Sequence, residues 1–239
     1  MKILAVDTAT QVCSVALIDD ELLVAEVTIT KTQTHSKHLM GIIKNVIELA
    51  GLTISDMDGF AVSVGPGNFT GLRIGISSIK GLSFATNKPV AGISSLDALA
   101  AQTAPSQSLI YPWLDARREQ VYCSIYEFNK NILKKQTSEM VLSPDDALKN
   151  INGNCIFVGS GAYLYKELIK NRIGEYAHFM LPEHNVIRAS TVAALAGEKF
   201  KTKDIFKTSE KNSPVDDTFS PNYIRKPDAK ILKKTAGLF

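Results

Sequence analysis

Cysteine is scarce: Cys13, Cys123 and Cys155 are the only three in 239 residues, odd in number and far apart. That argues against a disulfide framework and a cysteine zinc site, and leaves three small core residues. No histidine accompanies any of them as a base, so a thiol nucleophile has little support. Long apolar runs are missing too, each broken by polar residues, so no membrane helix fits. The N-terminus, MKILAVDTAT, meets an acid at Asp7 before a signal-like apolar stretch can build. Strong charge is absent. Lys and Arg number 27 against 24 Asp and Glu, and a net +3 does not by itself imply nucleic-acid binding. The basic clusters come late, at 199–203 and 230–234, and read as solvated ends. What remains is an ordinary globular composition, 45% hydrophobic and 21% charged, expected in the cytoplasm. The length suffices for one large domain or two modest ones.

Hydrophobic period orders the chain. Residues 2–7 form an apolar strand ending in an acid, 12–18 a second, and 22–30 a third after the Asp19-Asp20 turn. The period then becomes helical. Thr34 caps a segment whose apolar face is Leu39, Ile42, Ile43, Val46 and Ala50, stopped at Gly51. A strand at 60–64, a helix at 70–86, a strand at 90–93 and a helix at 96–102 complete the string βββαβαβα. The second half repeats it at lower contrast. Strands fall at 109–115, 121–128 and 132–141, then a helix at 144–149, a strand at 155–159, a helix at 163–171, a weak strand at 177–180 and a helix at 191–201. Punctuation repeats as well: Asp115-Ala116-Arg117 matches Asp7-Thr8-Ala9, and Gly159-Ser160-Gly161 matches Gly65-Pro66-Gly67. The pattern suggests an internal duplication, with lobes at 1–105 and 106–239 and a boundary in the polar segment 103–107. Three antiparallel strands followed by parallel βα units give a mixed sheet with helices on both faces. Two such lobes make an α/β molecule of the actin, Hsp70 and sugar-kinase (ribonuclease H-like) architecture, with an interlobe cleft. That likeness concerns fold and licenses no function.

Six blocks are more specific: LAVDTAT (4–10), HSKHL (35–39), VSVGPGNFTGLRIGISSIKGLSFA (62–85), VAGISSLDALA (90–100), LDARREQVY (114–122) and PNYIRKP (221–227). Together they resemble the bacterial TsaB (YeaZ) family through most of the chain, GPGNFTGLRIG most specifically. The resemblance implies a non-catalytic partner of TsaD. TsaD, with TsaB and the ATPase TsaE, transfers a threonylcarbamoyl group to the adenosine beside the anticodon of tRNAs reading codons that begin with A. It further implies TsaD and TsaE as partners and tRNA reached through the complex. No cofactor is required by this chain, and ATP or ADP is placed at the complex interface. In TsaD-type enzymes the segment after the glycine loop resembles GVNHMEAHL, whose two histidines bind a metal. Ser95 and Leu99 stand at those places here, and neither a hydroxyl nor an isobutyl group grips a transition metal. His35 and His38 share a helix face but lack a third ligand nearby, and His178 and His184 are distant. No metal is expected, and the first pair reads as solvated or interface histidines.

Two candidate sites follow. A phosphate would sit on amides at the start of the 70–86 helix, with Gly65 and Gly67 allowing close approach and Asn68 and Thr70 adding polar groups. The loop is neither GxxxxGK[ST] nor GxGxxG, and Arg73 is its only early cation. A supporting part in a shared nucleotide site, with Asp7, is therefore the expectation. Asp7 and Asp115 could face the cleft and hold magnesium, as acids do in kinases of this architecture. Equally, each could accept amide bonds from its own turn. The second site is a stripe of mostly small residues, Gly71, Gly75, Ser78, Leu82 and Ala85, on one helix face. Glycine costs a helix about 1 kcal/mol against alanine. Close approach by the protein's own sheet, or by a helix of another chain, must offset that. With His35, His38, Leu39 and Ile42 on the companion helix, the stripe reads as the docking face where the resemblance puts the TsaD interface. In isolation the same surface would form a homodimer. Gly75→Leu is then expected to block pairing and leave the monomer folded. The alternative function is an ATP-dependent kinase or hydrolase working in its own cleft, although the short second half points to a shallow one. A metallopeptidase would need metal ligands the sequence does not supply.

Overall fold

The computed structural model describes residues 1–30, 35–202 and 220–225. The expected cap Thr34, the basic cluster at 230–234 and the chain end lie outside the described residues.

Strands β1 (Lys2–Asp7), β2 (Cys13–Asp19) and β3 (Leu22–Ile29) form an antiparallel meander. Parallel strands β4 (Gly59–Gly65) and β5 (Val90–Ser94) extend it in the order β3-β2-β1-β4-β5. β1 and β2 are buried almost end to end, which is why they read as continuous apolar runs rather than as alternations. Two helices, α1 (His35–Leu49) and α2 (Phe69–Thr86), pack against this sheet and each other. α1 sends Leu39, Ile42, Ile43, Val46 and Ile47 into the core. Asn68 caps α2 by accepting the Gly71 amide, and Asn87 ends it in the left-handed region at φ 53°. α3 (Ser95–Ala101) follows β5, capped by Ser94.

The second sheet repeats the plan. It contains β6 (Leu109–Asp115), β7 (Val121–Cys123), β8 (Tyr126–Asn129), β9 (Ile132–Lys135), β10 (Met140–Leu142), β11 (Cys155–Val158) and β12 (Ala177–Phe179). Its order is β10-β7-β6-β11-β12, with β8 pairing β6 and β9. Taking β7–β8 and β9–β10 each as one interrupted strand restores the order of the first sheet. Thr137 makes the interruption. The Ile125 amide donates to its hydroxyl at 3.0 Å, and the Ser124 hydroxyl donates to its carbonyl at 2.8 Å, so side-chain bonds replace ladder bonds. After α4 (Pro144–Ala147), the expected helix at 163–171 begins earlier and divides into α5 (Ser160–Leu164) and α6 (Lys166–Ile173). A separate small core fills this lobe around Trp113, Phe157 and Ile169. Cys13, Cys123 and Cys155 are buried and unpaired, and burial pushes each thiol up to about 11, so none is a ready nucleophile. Among the described residues no helix is long and apolar enough to cross a membrane.

The terminal helices of the two repeats cross over. α3 packs on β6 as well as on β4 and β5, and α7 (Ala189–Thr202) lies across β1, β2, β4 and β5. Its Ala189, Val192, Ala193, Ala196 and Phe200 join the core of the first lobe. The last helix of the second repeat thus packs on the sheet of the first. Periodicity reveals which face of a helix is buried, but not against which sheet. Glu26 on β3 anchors the start of α7. It accepts the Ser190 amide at 3.0 Å, the Ser190 hydroxyl at 2.9 Å and Arg188 Nε at 3.0 Å, and also pairs with Arg188 Nη2. An anion at a helix start is favourable. Glu26→Ala should cost about 2 kcal/mol in a denaturant melt, because a half-buried amide, a hydroxyl and a guanidinium lose their acceptor together. An unchanged midpoint would mean that apolar packing alone holds α7.

Candidate functional site

A cleft of about 1080 Å³ separates the lobes. One wall is the turn after β1 (Ala9 to Val12) with Gly67, Asn68 and Phe69; the other carries Leu114, Tyr122, Tyr163 and Leu164. Asn222, Tyr223, Ile224 and Arg225 return from the chain end to complete it. The shallow cleft expected from a short second half is thus corrected, since α5 and the returning segment build up its sides. Asp115 faces this cleft, but it accepts the Arg117 amide at 2.8 Å, and the Arg117 guanidinium lies 3.4 Å away. Its role is to shape the turn. Arg117, Arg118 and Glu119 follow in the left-handed region at φ 61°, 52° and 54°. That conformation costs on the order of 1 kcal/mol per residue. It is closed by the Ala116 amide donating to the Gln120 carbonyl at 3.0 Å.

Asp7 does not reach the cleft. It is fully buried, and its nearest amide, Ala9, is 3.4 Å from Oδ1. Burial raises its carboxyl from the ordinary 3.8 to about 7, against the opposing pull of the Ser63 hydroxyl and the Ala9 amide. Its second oxygen has no hydrogen-bond partner among the described residues, and the Ser63 hydroxyl lies near the carboxyl without forming a well-aligned hydrogen bond to it. Asp7 is kept from the cleft by the way the turn after β1 is clamped beneath α2. Thr8 Oγ1 donates to the Gly71 carbonyl at 2.8 Å, and the Asn68 amide donates to the Ala9 carbonyl at 2.6 Å. A Cβ on Gly67 would fall 2.3 Å from the Ala9 oxygen, and one on Gly71 2.1 Å from the Thr8 oxygen.

The same clamp occupies the start of α2. The Asn68 amide is taken by Ala9, the Gly71 amide by the Asn68 side chain at 2.9 Å, and the Leu72 amide by the Asn68 carbonyl at 2.9 Å. Of the expected phosphate residues only Gly67 and Asn68 line the cleft. Gly65 is buried with φ 113°, and Thr70 faces a second hollow on the other side of Phe69.

That hollow, about 440 Å³, runs between α1 and α2 and is lined by Ser36, Leu39, Met40, Phe69, Thr70, Arg73, Ile74, Ser77 and Ser78. The expected docking residues divide around it. Leu39 is 1% exposed and forms its floor, while Ile42, at 6%, belongs to the core. His35 meets the Thr10 carbonyl through Nε2 at 2.9 Å, and His38 is half-buried. Gly71 and Gly75 turn inward onto Thr8 and Val62. Ile42 thus faces the core, and the close neighbour that Gly71 and Gly75 admit is the strand β1 and the turn after it. Ser78 lines the hollow, and Leu82 is half-buried against the core. Sequence reasoning passed over Met40, Arg73, Ile74, Ser77 and Phe84, the last being 73% exposed. A signal was there, because Phe69, Arg73, Ser77 and Phe84 recur at helical spacing as an outward stripe with two aromatics.

On α3, Ser95 is buried with an unpartnered hydroxyl and Leu99 packs in the core. Among the described residues no three His, Cys, Asp or Glu side chains converge as a metal site. A polar network instead joins α3 to the second lobe. Lys135 lies 2.7 Å from Asp97 and 2.9 Å from Glu139, the Tyr126 hydroxyl donates to Asp97 at 2.7 Å, and the Ser94 hydroxyl donates to Glu139.

Duplicated sheets around a cleft define the actin, Hsp70 and sugar-kinase class. The activator of the 2-hydroxyisocaproyl-CoA dehydratase from Clostridium difficile, solved with bound ADPNP, shares that fold at 11% identity and a TM-score of 0.51, over 90% of this chain and all of that one. Residues 23–233 match the family described as "TsaD: tRNA N6-adenosine threonylcarbamoyltransferase". The tRNA threonylcarbamoyladenosine biosynthesis protein TsaB of Bacillus subtilis is 30% identical over 202 residues, 83% of this chain and 88% of that one. A solved Pseudomonas aeruginosa protein, described as uncharacterized with similarity to peptidase YEAZ, is 27% identical with a TM-score of 0.75, over 94% and 99% of the two chains. The chain belongs to the TsaB (YeaZ) family of tRNA threonylcarbamoyladenosine biosynthesis proteins, within the wider TsaD-type group.

Proposed function

We propose that the chain is a non-catalytic subunit of the machinery that forms threonylcarbamoyladenosine in tRNA. It docks on a TsaD-type enzyme through the α1–α2 face, acts with TsaE, and meets tRNA through the assembled complex. Alone, it pairs with a second copy through the same face, and any ATP or ADP sits at the complex interface. One observation carries this reading: three amides at the start of α2 are already hydrogen-bonded within the chain, and the acid that would hold magnesium is buried. A phosphate at the Asn68, Gly71 or Leu72 amide would have to displace its present bond. Met40, exposed at the α1–α2 hollow, and Phe84, exposed further along α2, supply apolar surface for a partner.

The size of the cleft favours a second reading, an ATP-dependent kinase or hydrolase acting alone, because its volume is that of small-molecule sites. Calorimetry with ATP and magnesium on the isolated chain, run beside co-elution with the TsaD-type enzyme of the same cell, separates the two. We expect no measurable heat and a stable co-eluting complex. Micromolar ATP binding with turnover in the absence of partners would replace the first reading with the second.

A further inference from the structure

Residues 220–225 touch both lobes at the mouth of the cleft. On the first lobe, the Asn222 amide donates to the Val64 carbonyl at 2.7 Å. The Tyr223 ring stacks on Phe69 at 4.9 Å, and its hydroxyl accepts from Arg73 Nε at 2.9 Å. The Arg73 guanidinium in turn lies 3.8 Å from the centre of the Phe69 ring. On the second lobe, Asn222 Nδ2 donates to Glu139 at 2.7 Å, and Arg225 donates to the Ala116 carbonyl at 2.8 Å. Glu139 is the carboxylate already gripped by Lys135 and Ser94, so the segment plugs into the interlobe network. Gly65 is what lets it lie so close, because a Cβ there would fall 2.9 Å from the Asn222 carbonyl oxygen.

Two side chains serve three places. Phe69 lines the cleft, stacks on this segment and lines the α1–α2 hollow; Arg73 shares the last two. We propose that residues 220–225 are an interlobe latch that holds Phe69 and Arg73 in position and thereby sets how tightly a partner docks in the α1–α2 hollow. The inference rests on the docking reading above. Ser220 and Asn222 are exposed and the other four residues only half-buried, so little apolar surface holds the latch shut. Segments of that kind open at free energies well below global unfolding. A partner that needs the latched arrangement sees only the latched fraction of molecules, and its affinity falls in proportion.

The test uses the full chain and three variants: Tyr223→Ala, Tyr223→Phe and, in the hollow itself, Met40→Glu. Hydrogen exchange at residues 69–73 and affinity for the TsaD-type enzyme of the same cell are both read. Tyr223→Ala should raise exchange there and weaken docking about tenfold at a near-native melting midpoint. Tyr223→Phe, which keeps the stack and loses the Arg73 bond, should fall between it and the natural protein. Unchanged exchange in Tyr223→Ala overturns the latch. Raised exchange with full affinity, while Met40→Glu still cuts binding, overturns the coupling and spares the docking reading. Full affinity in both Tyr223→Ala and Met40→Glu means that the docking surface lies elsewhere, and the coupling falls with it.

Discussion

Gly75→Leu should leave little folded protein. The stripe of small residues on α2 invites the opposite expectation, a folded monomer that cannot pair, but the structure gives that space to the protein itself. A Cβ on Gly75 would stand 2.3 Å from Thr8 Oγ1 and 3.4 Å from Val62 Cγ2. Thr8 is buried, and its hydroxyl is fixed by donation to the Gly71 carbonyl. Moving it aside breaks a buried hydrogen bond, and the remaining three carbons of leucine then press on β1 and β4. Overpacking of that kind, added to an orphaned buried polar group, costs about 4 kcal/mol or more, most of what a marginal domain has. Gly71→Ala faces backbone, the Thr8 carbonyl at 2.1 Å, and should fare no better. Gly81 is the control on the same helix: nothing lies within 4 Å of its Cβ position. Gly81→Ala should gain about 1 kcal/mol from helix propensity. Urea melts of the three variants decide the matter. A Gly75→Leu protein with the natural midpoint would show that the small-residue face is not filled by β1.

These glycines show where the sequence was legible. Every strand and α-helix of the first lobe was found within a residue or two, because alternating and helical apolar periods there are long and sharply ended by Gly51, Asn87 and the Asp19-Asp20 turn. The duplication was readable from the matching punctuation after β1 and β6, and the two sheets do share one strand order. Three things were hidden. Strand breaks at Ser124 and Thr137 arise from side-chain bonds between residues 12 and 13 apart, which leave no trace in hydropathy. The crossing of α7 to the first sheet is a choice between two apolar surfaces that an amphipathic helix fits equally. At the site, a glycine that admits a partner helix and one that admits its own strand look identical in sequence, and Gly71 and Gly75 prove to be the latter. The PNYIR segment was legible as a block of resemblance, and its grip on Phe69, Arg73 and Glu139 needed the three-dimensional arrangement.

Asp7→Asn should stabilise the protein by about 3 kcal/mol at pH 8 and change little at pH 4. The carboxyl titrates at 3.8 in the ordinary exposed state and at about 7 when folded, raised by burial. Between those values the folded chain holds a proton that the unfolded chain has released. Stability contributed by Asp7 therefore falls as pH rises from about 4 to 7, and it is lowest above 7, where a bare carboxylate is buried. At 1.36 kcal/mol per unit the full swing is about 4 kcal/mol. Asparagine removes the swing, keeps an oxygen for the Ala9 amide, and gives back about 1 kcal/mol through its own desolvated amide group. Asp19, lowered by the Lys2 hydrogen bond, and Asp56, lowered by Thr53, act in the reverse sense, losing their contribution as pH falls. Both are present in either protein and cancel in the difference. Denaturant midpoints of the two proteins should therefore converge near pH 4 and separate by pH 8; curves that stay parallel would mean that Asp7 is already ionised in the fold. The result also bears on function. A kinase-type magnesium ligand must be charged and reachable; a carboxyl that titrates at about 7 is only partly charged near neutral pH, and this one is fully buried.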